Sequence, residues 1–182
     1  MRRSLLAIIL AALCGTPLAA VAAPSDVNIE IVTNLGTIEV ALDPDHAPVT
    51  VKHFLHYVDT KFYDGGSFFR AVPTFVIQGG NRAREKDDDP AIKLESPLKT
   101  GVRNVDGAIA MARTSDPDSA TTEFFLDDGD QARLDGAEGQ PGYAAFGHVT
   151  KNIELVRKIA RLPAQSQMLL EPVKIIRIRR IP

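Results

Sequence analysis

The sequence predicts a mainly β fold: a closed antiparallel barrel with helices at its ends. Three observations lead there. Short runs of alternating apolar and polar residues recur along the chain, separated by turn residues. Two segments carry an amphipathic helical period. No strand–helix–strand rhythm of the kind that builds parallel sheets is present. At 182 residues and 45% hydrophobic content, the chain suits one domain with one sizeable core. Its formal charge of -2 argues against nonspecific nucleic-acid binding as a main role.

Residues 1–23 precede that domain and read as a secretory signal peptide. Arg2 and Arg3 form a positive start, Leu5 to Leu13 an apolar stretch, and Ala20 to Ala23 a small-residue site for cleavage after Ala22 or Ala23. The apolar stretch is too short to span a membrane comfortably. A lipid anchor on Cys14 competes with this reading, but bulky Leu13 opposes it. Cleavage removes two arginines, taking the formal charge from -2 to -4, and removes Cys14, the only cysteine. A periplasmic, monomeric protein without thiol, disulfide or membrane anchor is expected, its single domain spanning residues 24–182.

Val27, Ile29 and Ile31 alternate on one side of the Asn34-Leu35-Gly36 turn, and Ile38, Val40 and Leu42 on the other, which predicts a β-hairpin. Val51, Phe54, Leu55 and Val58 then predict a helix over 49–60. His53 and His56 lie one turn apart on it, but with no third ligand nearby they read as surface residues rather than a metal pair. Residues 67–72 predict a strand with Phe69 and Arg70 on opposite faces. Pro73 breaks it, 75–78 restart it, and Gly79 and Gly80 stop it. The lone Arg70 in this apolar run is either an edge charge that discourages aggregation or a guanidinium held beside an apolar pocket.

Residues 82–90 are a charged loop. Strands over 107–113 and 123–126 flank a Ser/Thr/Asp/Pro loop. In the loop 127–142, Asp127, Asp128, Asp130 and Glu138 have partial calcium-loop spacing, but Ala132 stands where that motif needs glycine, so a solvated acidic loop is expected. A strand over 144–150 leads to Asn152, expected to cap a second helix with the apolar face Leu155, Val156, Ile159 and Ala160. Residues 165–171 read as a loop without evident purpose. A β-branched strand over 172–181 closes the chain, with Arg177, Arg179 and Arg180 on its solvated side.

Three blocks carry more than secondary structure: FFRAVPTFVIQGG (68–80), GAIAMARTSDPDSATTEFFL (107–126) and GYAAFGHV (142–149). Together and in this order they resemble the cyclophilin family of peptidyl-prolyl cis-trans isomerases, in particular its bacterial periplasmic members. The resemblance runs from about Ile29 to Ile178. It implies an eight-stranded barrel capped by two helices and no cofactor or metal. It places Arg70 at the catalytic arginine and Gln78 at the partner that steadies it and binds substrate backbone. Phe75, Val76, Phe125 and Leu134 match the proline pocket. Ala112 and Arg113 match the site for the residue before proline, Arg113 through its backbone, and Tyr143 matches a rim position. The implied partners are proline-containing polypeptides, here exported proteins whose folding would be assisted.

Such chemistry needs no covalent step. The peptide C–N bond resists rotation by about 18–20 kcal/mol, through resonance. A dry apolar pocket removes part of the planar amide's advantage, and a donor aimed at the proline nitrogen stabilises the twisted state, where that nitrogen regains its lone pair. Several positions depart from the family pattern. Phe69 replaces a usual His, Arg133 stands at a pocket edge that is commonly aromatic, and Glu123 replaces a usual Gln. Glu123 shares a strand face with Phe125, which predicts either a carboxylate near Gln78 that competes for Arg70 and costs about 1 kcal/mol of catalysis, or one turned into solvent without effect. A peptide-binding chaperone or assembly factor with little turnover is the alternative these departures favour. A hydrolase is opposed by the absence of a Gly-x-Ser-x-Gly elbow or other nucleophile motif.

Overall fold

The computed structural model describes residues 27–87 and 90–182; the segment read as a signal peptide lies outside them. In chain order the elements are β1 (Val27–Thr33), β2 (Gly36–Leu42), α1 (Pro48–Asp59), β3 (Ser67–Val72), β4 (Val76–Gly80), a 3-10 turn (Arg82–Asp87) and α2 (Pro97–Thr100). There follow β5 (Ala108–Met111), β6 (Phe124–Asp127), a 3-10 turn (Ala132–Leu134), β7 (Gly136–Ala137), β8 (Gln140–Pro141) and β9 (Ala145–Lys151). The chain ends with α3 (Ile153–Ala160), β10 (Ala164–Gln165) and β11 (Met168–Arg180).

Eight strands run antiparallel in the ring order β1-β2-β9-β5-β6-β4-β3-β11, and β11 pairs back onto β1 to close it. Closure leaves no unpaired edge on the barrel wall. The β1–β2 hairpin forms in the expected register, with Ile29 opposite Val40 and Ile31 opposite Ile38. All four side chains enter the core, because period-two alternation keeps them on one face. Both predicted helices form and pack onto that core. Phe54 of α1 meets Tyr63, Phe124 and Phe146 at centroid distances of 5.1, 5.4 and 5.1 Å, and α3 buries the four residues its period marked.

Three local expectations are corrected. Gly79 and Gly80 belong to β4 rather than stopping it. A Cβ on Gly79 would lie 2.8 Å from the Phe68 ring, and one on Gly80 3.3 Å from Cγ of Glu123, so the absent side chains admit close neighbours. Asn152 precedes α3 but does not cap it. With φ of 68° it is left-handed, and its Nδ2 donates to Thr37 O at 2.8 Å. The N-terminus of α1 is covered from afar instead: Glu95 accepts from Val49 N, Thr50 N and Thr50 Oγ1. The residues read as the loop 165–171 mostly form the β10–β11 hairpin, with Gln165 opposite Met168. The one-turn α2, bounded by Ser96 and by left-handed Gly101, was not expected; its Ser-Pro start and glycine end were its signals.

The wall is apolar on both sides over part of its length. Ile109, Met111, Phe124 and Leu126 face the barrel core. Ala110, Phe125, Val76, Leu134 and Ala145 form a second cluster, joined by Phe75, Ala112 and Tyr143. That second cluster floors the site.

Candidate functional site

The site begins at a β-bulge. Phe68 pairs with Gly79 and Arg70 with Gln78, so β3 has one extra residue at Phe69. Phe68 and Ala71 both belong to the barrel core. Arg70 lines an external groove, while Phe69 lies under the Arg82 guanidinium, whose carbon is 3.6 Å from the ring centroid. Simple alternation, which put Phe69 and Arg70 on opposite faces, is therefore overturned: the bulge aims an arginine outward from an otherwise core-facing position.

A chain of hydrogen bonds then holds that arginine. Arg70 Nη1 donates to Gln78 Oε1 at 3.1 Å, and Gln78 Nε2 donates to Glu123 Oε2 at 2.6 Å. Arg82 Nε donates to Glu123 Oε1 at 3.0 Å, forming an ion pair. A guanidinium only donates and an ionised carboxylate only accepts, so the amide between them can face only one way. Glu123 thus orients Gln78 rather than competing for Arg70, and the expected direct pairing is absent. On its other side Arg70 donates from Nε at 2.9 Å and from Nη2 at 2.6 Å, both to Gln167 Oε1. Burial lowers the Arg70 pKa from its ordinary value, yet a guanidinium stays charged at neutral pH.

Beside Arg70 opens a hollow of about 240 Å³. Phe75, Val76, Phe125 and Leu134 supply its apolar lining, and Gln78, Ala112, Arg113 and Tyr143 its remaining walls. The Phe125 and Tyr143 rings meet edge to face at 5.6 Å. Arg113 stacks on Tyr143 at 4.3 Å and donates to the carbonyls of Thr114, Pro141 and Gly142. Its side chain, which sequence reasoning discounted, ties the 112–114 wall to the 141–143 wall. Exposed Arg133 lies over Phe75 with its guanidinium carbon 4.1 Å from the ring centroid.

Nine of the ten sequence-proposed residues line this one hollow, and the tenth, Glu123, stands behind Gln78. Sequence reasoning missed Gln167 and gave no role to Arg82. A roomier hollow of about 380 Å³ lies beside Leu35, Leu162, Pro163 and Leu170, but no arginine borders it. His53 Nε2 is bonded to Thr121 O at 2.7 Å. Asp128 accepts from Thr74 N and Asp130 from Asp106 N. Among the described residues no group of three or more acids, histidines or cysteines converges on a metal position.

The closed barrel thus bears an external apolar hollow with a guanidinium held at its lip. Residues 28–180 match the family described as cyclophilin type peptidyl-prolyl cis-trans isomerase/CLD. The chain is 41% identical over 150 residues to peptidyl-prolyl cis-trans isomerase A of Dickeya dadantii, covering 81% of this chain and 78% of that protein. It is 40% identical over 157 residues to a peptidyl-prolyl cis-trans isomerase of Acinetobacter baylyi, covering 83% and 84%. The crystal structure of a Cryptosporidium parvum cyclophilin-type isomerase shares the fold, with a TM-score of 0.76 at 19% identity over 86% of this chain and 98% of that one. The chain belongs to the cyclophilin-type peptidyl-prolyl cis-trans isomerases. It is an enzyme whose substrates are proline-containing peptides.

Proposed function

We propose that this isomerase acts on exported proteins in the periplasm and assists their folding, with Arg70 as the donor to the twisting bond. The carrying observation is the state of the Arg70 guanidinium. Among the described residues, three of its five N–H groups are held by Gln78 and Gln167, which leaves two at the lip of the apolar hollow. A proline ring in the hollow brings its nitrogen to that lip. As the bond twists, the nitrogen lone pair becomes available, and a donor already fixed in place stabilises it without reorganising. Val76, Phe125 and Leu134 exclude water from the ring, and Ala112 and the Arg113 backbone receive the preceding residue.

Export rests on Arg2, Arg3, the apolar stretch to Leu13 and the alanines before Pro24. Residues 1–23 should be absent from the working enzyme. Mass spectrometry of protein recovered from the periplasm should show a start at Ala23 or Pro24; an exported chain retaining Met1 would overturn this.

Glu123 offers a graded test of the hydrogen-bond chain. Glu123→Ala removes the acceptor for both Gln78 and Arg82 and should lower kcat/KM by roughly three- to tenfold. Glu123→Gln keeps an acceptor and should stay within about twofold of wild type. Matching rates for Glu123→Ala and wild type would show that Gln78 holds its orientation without help.

A further inference from the structure

Gln167 belongs to a segment remote in sequence from the other site residues, yet it makes two of the three side-chain bonds to Arg70 among the described residues. We propose that Gln167 is a positioning residue for isomerisation: its amide oxygen clamps one edge of the Arg70 guanidinium so that the remaining N–H groups meet the substrate. The proposal rests on Arg70 being the catalytic donor.

Both the backbone and the side chain of Gln167 reach the bulge. Ala71 N donates to Gln167 O at 2.9 Å, and Met168 is the register partner of Arg70. The turn that carries Gln167 is therefore bonded to the strand segment that the bulge reshapes. The side chain then returns to accept from Nε and Nη2 with a single oxygen. Nε and the adjacent Nη form the side edge of a guanidinium, so occupying them fixes the plane of the group as well as its position. Gln78 holds Nη1 from another strand. Two acceptors on different elements stop the group from rotating about its long stem.

The turn chemistry points the same way. Ser166 and Gln167 form a two-residue hairpin loop with φ values of 48° and 70°. Such loops favour glycine or asparagine, because other residues are strained there. A glycine at 167 would relax the backbone but supply no acceptor. Gln167 therefore occupies a strained position while contributing a contact that glycine cannot make.

The test is a double-mutant cycle on peptide isomerisation, with circular dichroism as a check on folding. Gln167→Met keeps the length and the left-handed backbone demand but removes the acceptor. It should lower kcat roughly five- to tenfold with KM little changed. Gln167→Glu keeps an acceptor and should retain most of the rate. In an Arg70→Ala background, Gln167→Met should have no further effect. Unchanged kcat in Gln167→Met, or an equal loss with and without Arg70, would overturn the proposal. Failure of the underlying reading looks different: there Arg70→Ala itself keeps its rate.

Discussion

Arg70→Ala should lower kcat/KM on an Xaa-Pro peptide by about 10²-fold or more, the scale set by losing one oriented donor in a preorganised site. The loss should fall mainly on kcat. Val76, Phe125 and Leu134 make the apolar hollow without Arg70, so the proline ring keeps its seat. Folding should be little disturbed. The acceptors left behind belong to half-buried Gln78 and exposed Gln167, and water can replace the guanidinium. Arg70→Lys should lose most of the activity too, because an ammonium cannot present one edge to Gln167 and another face to Gln78 while still serving substrate. A variant that folds normally and keeps more than half the wild-type rate would remove Arg70 from the mechanism.

The parts legible in sequence are those set by local period. Alternation revealed the β1–β2 hairpin, and the i, i+3, i+4 pattern gave the buried faces of α1 and α3. The hollow was legible chiefly through three sequence blocks, whose residues β3, β4, β6 and the segments after β5 and before β9 bring together, with Leu134 added from the 3-10 turn outside them. What escaped depends on partners far along the chain. The bulge at Phe69 is a property of how β3 registers against β4, and nothing within 67–72 announces it. Glu95 caps α1 from 45 residues away, and Gln167 reaches Arg70 across 97. Glu123 was rightly placed near Gln78, but its pairing with Arg82 in place of Arg70 was not foreseen. With Arg82 paired to it, the carboxylate orients the amide instead of drawing on Arg70.

A titration behind the groove floor should tilt stability with pH. Asp127 ends β6 two residues after Phe125 and has no solvent exposure. Neither of its carboxyl oxygens has a hydrogen-bond partner among the described residues. Burial above all, and then the charges of Asp135 and Asp106, push its pKa up to about 8. The folded protein therefore keeps Asp127 neutral at pH 7, while the unfolded chain ionises it near pH 4. Below about pH 4 both states hold the proton and the group leaves stability unchanged. Between about pH 4 and 8 only the folded state holds it, so each rise of one pH unit should cost about 1.4 kcal/mol from this site. Above about pH 8 the proton leaves the folded state too and the loss levels off. Asp127→Asn removes the titration. A buried amide in its place shifts stability by a constant amount, without a slope. Urea unfolding at pH 5, 6 and 7 should show wild type losing ground steadily to the variant, by about 1 kcal/mol per unit or more. Parallel curves for the two proteins would mean that the Asp127 carboxyl is ionised in the fold or finds a partner there.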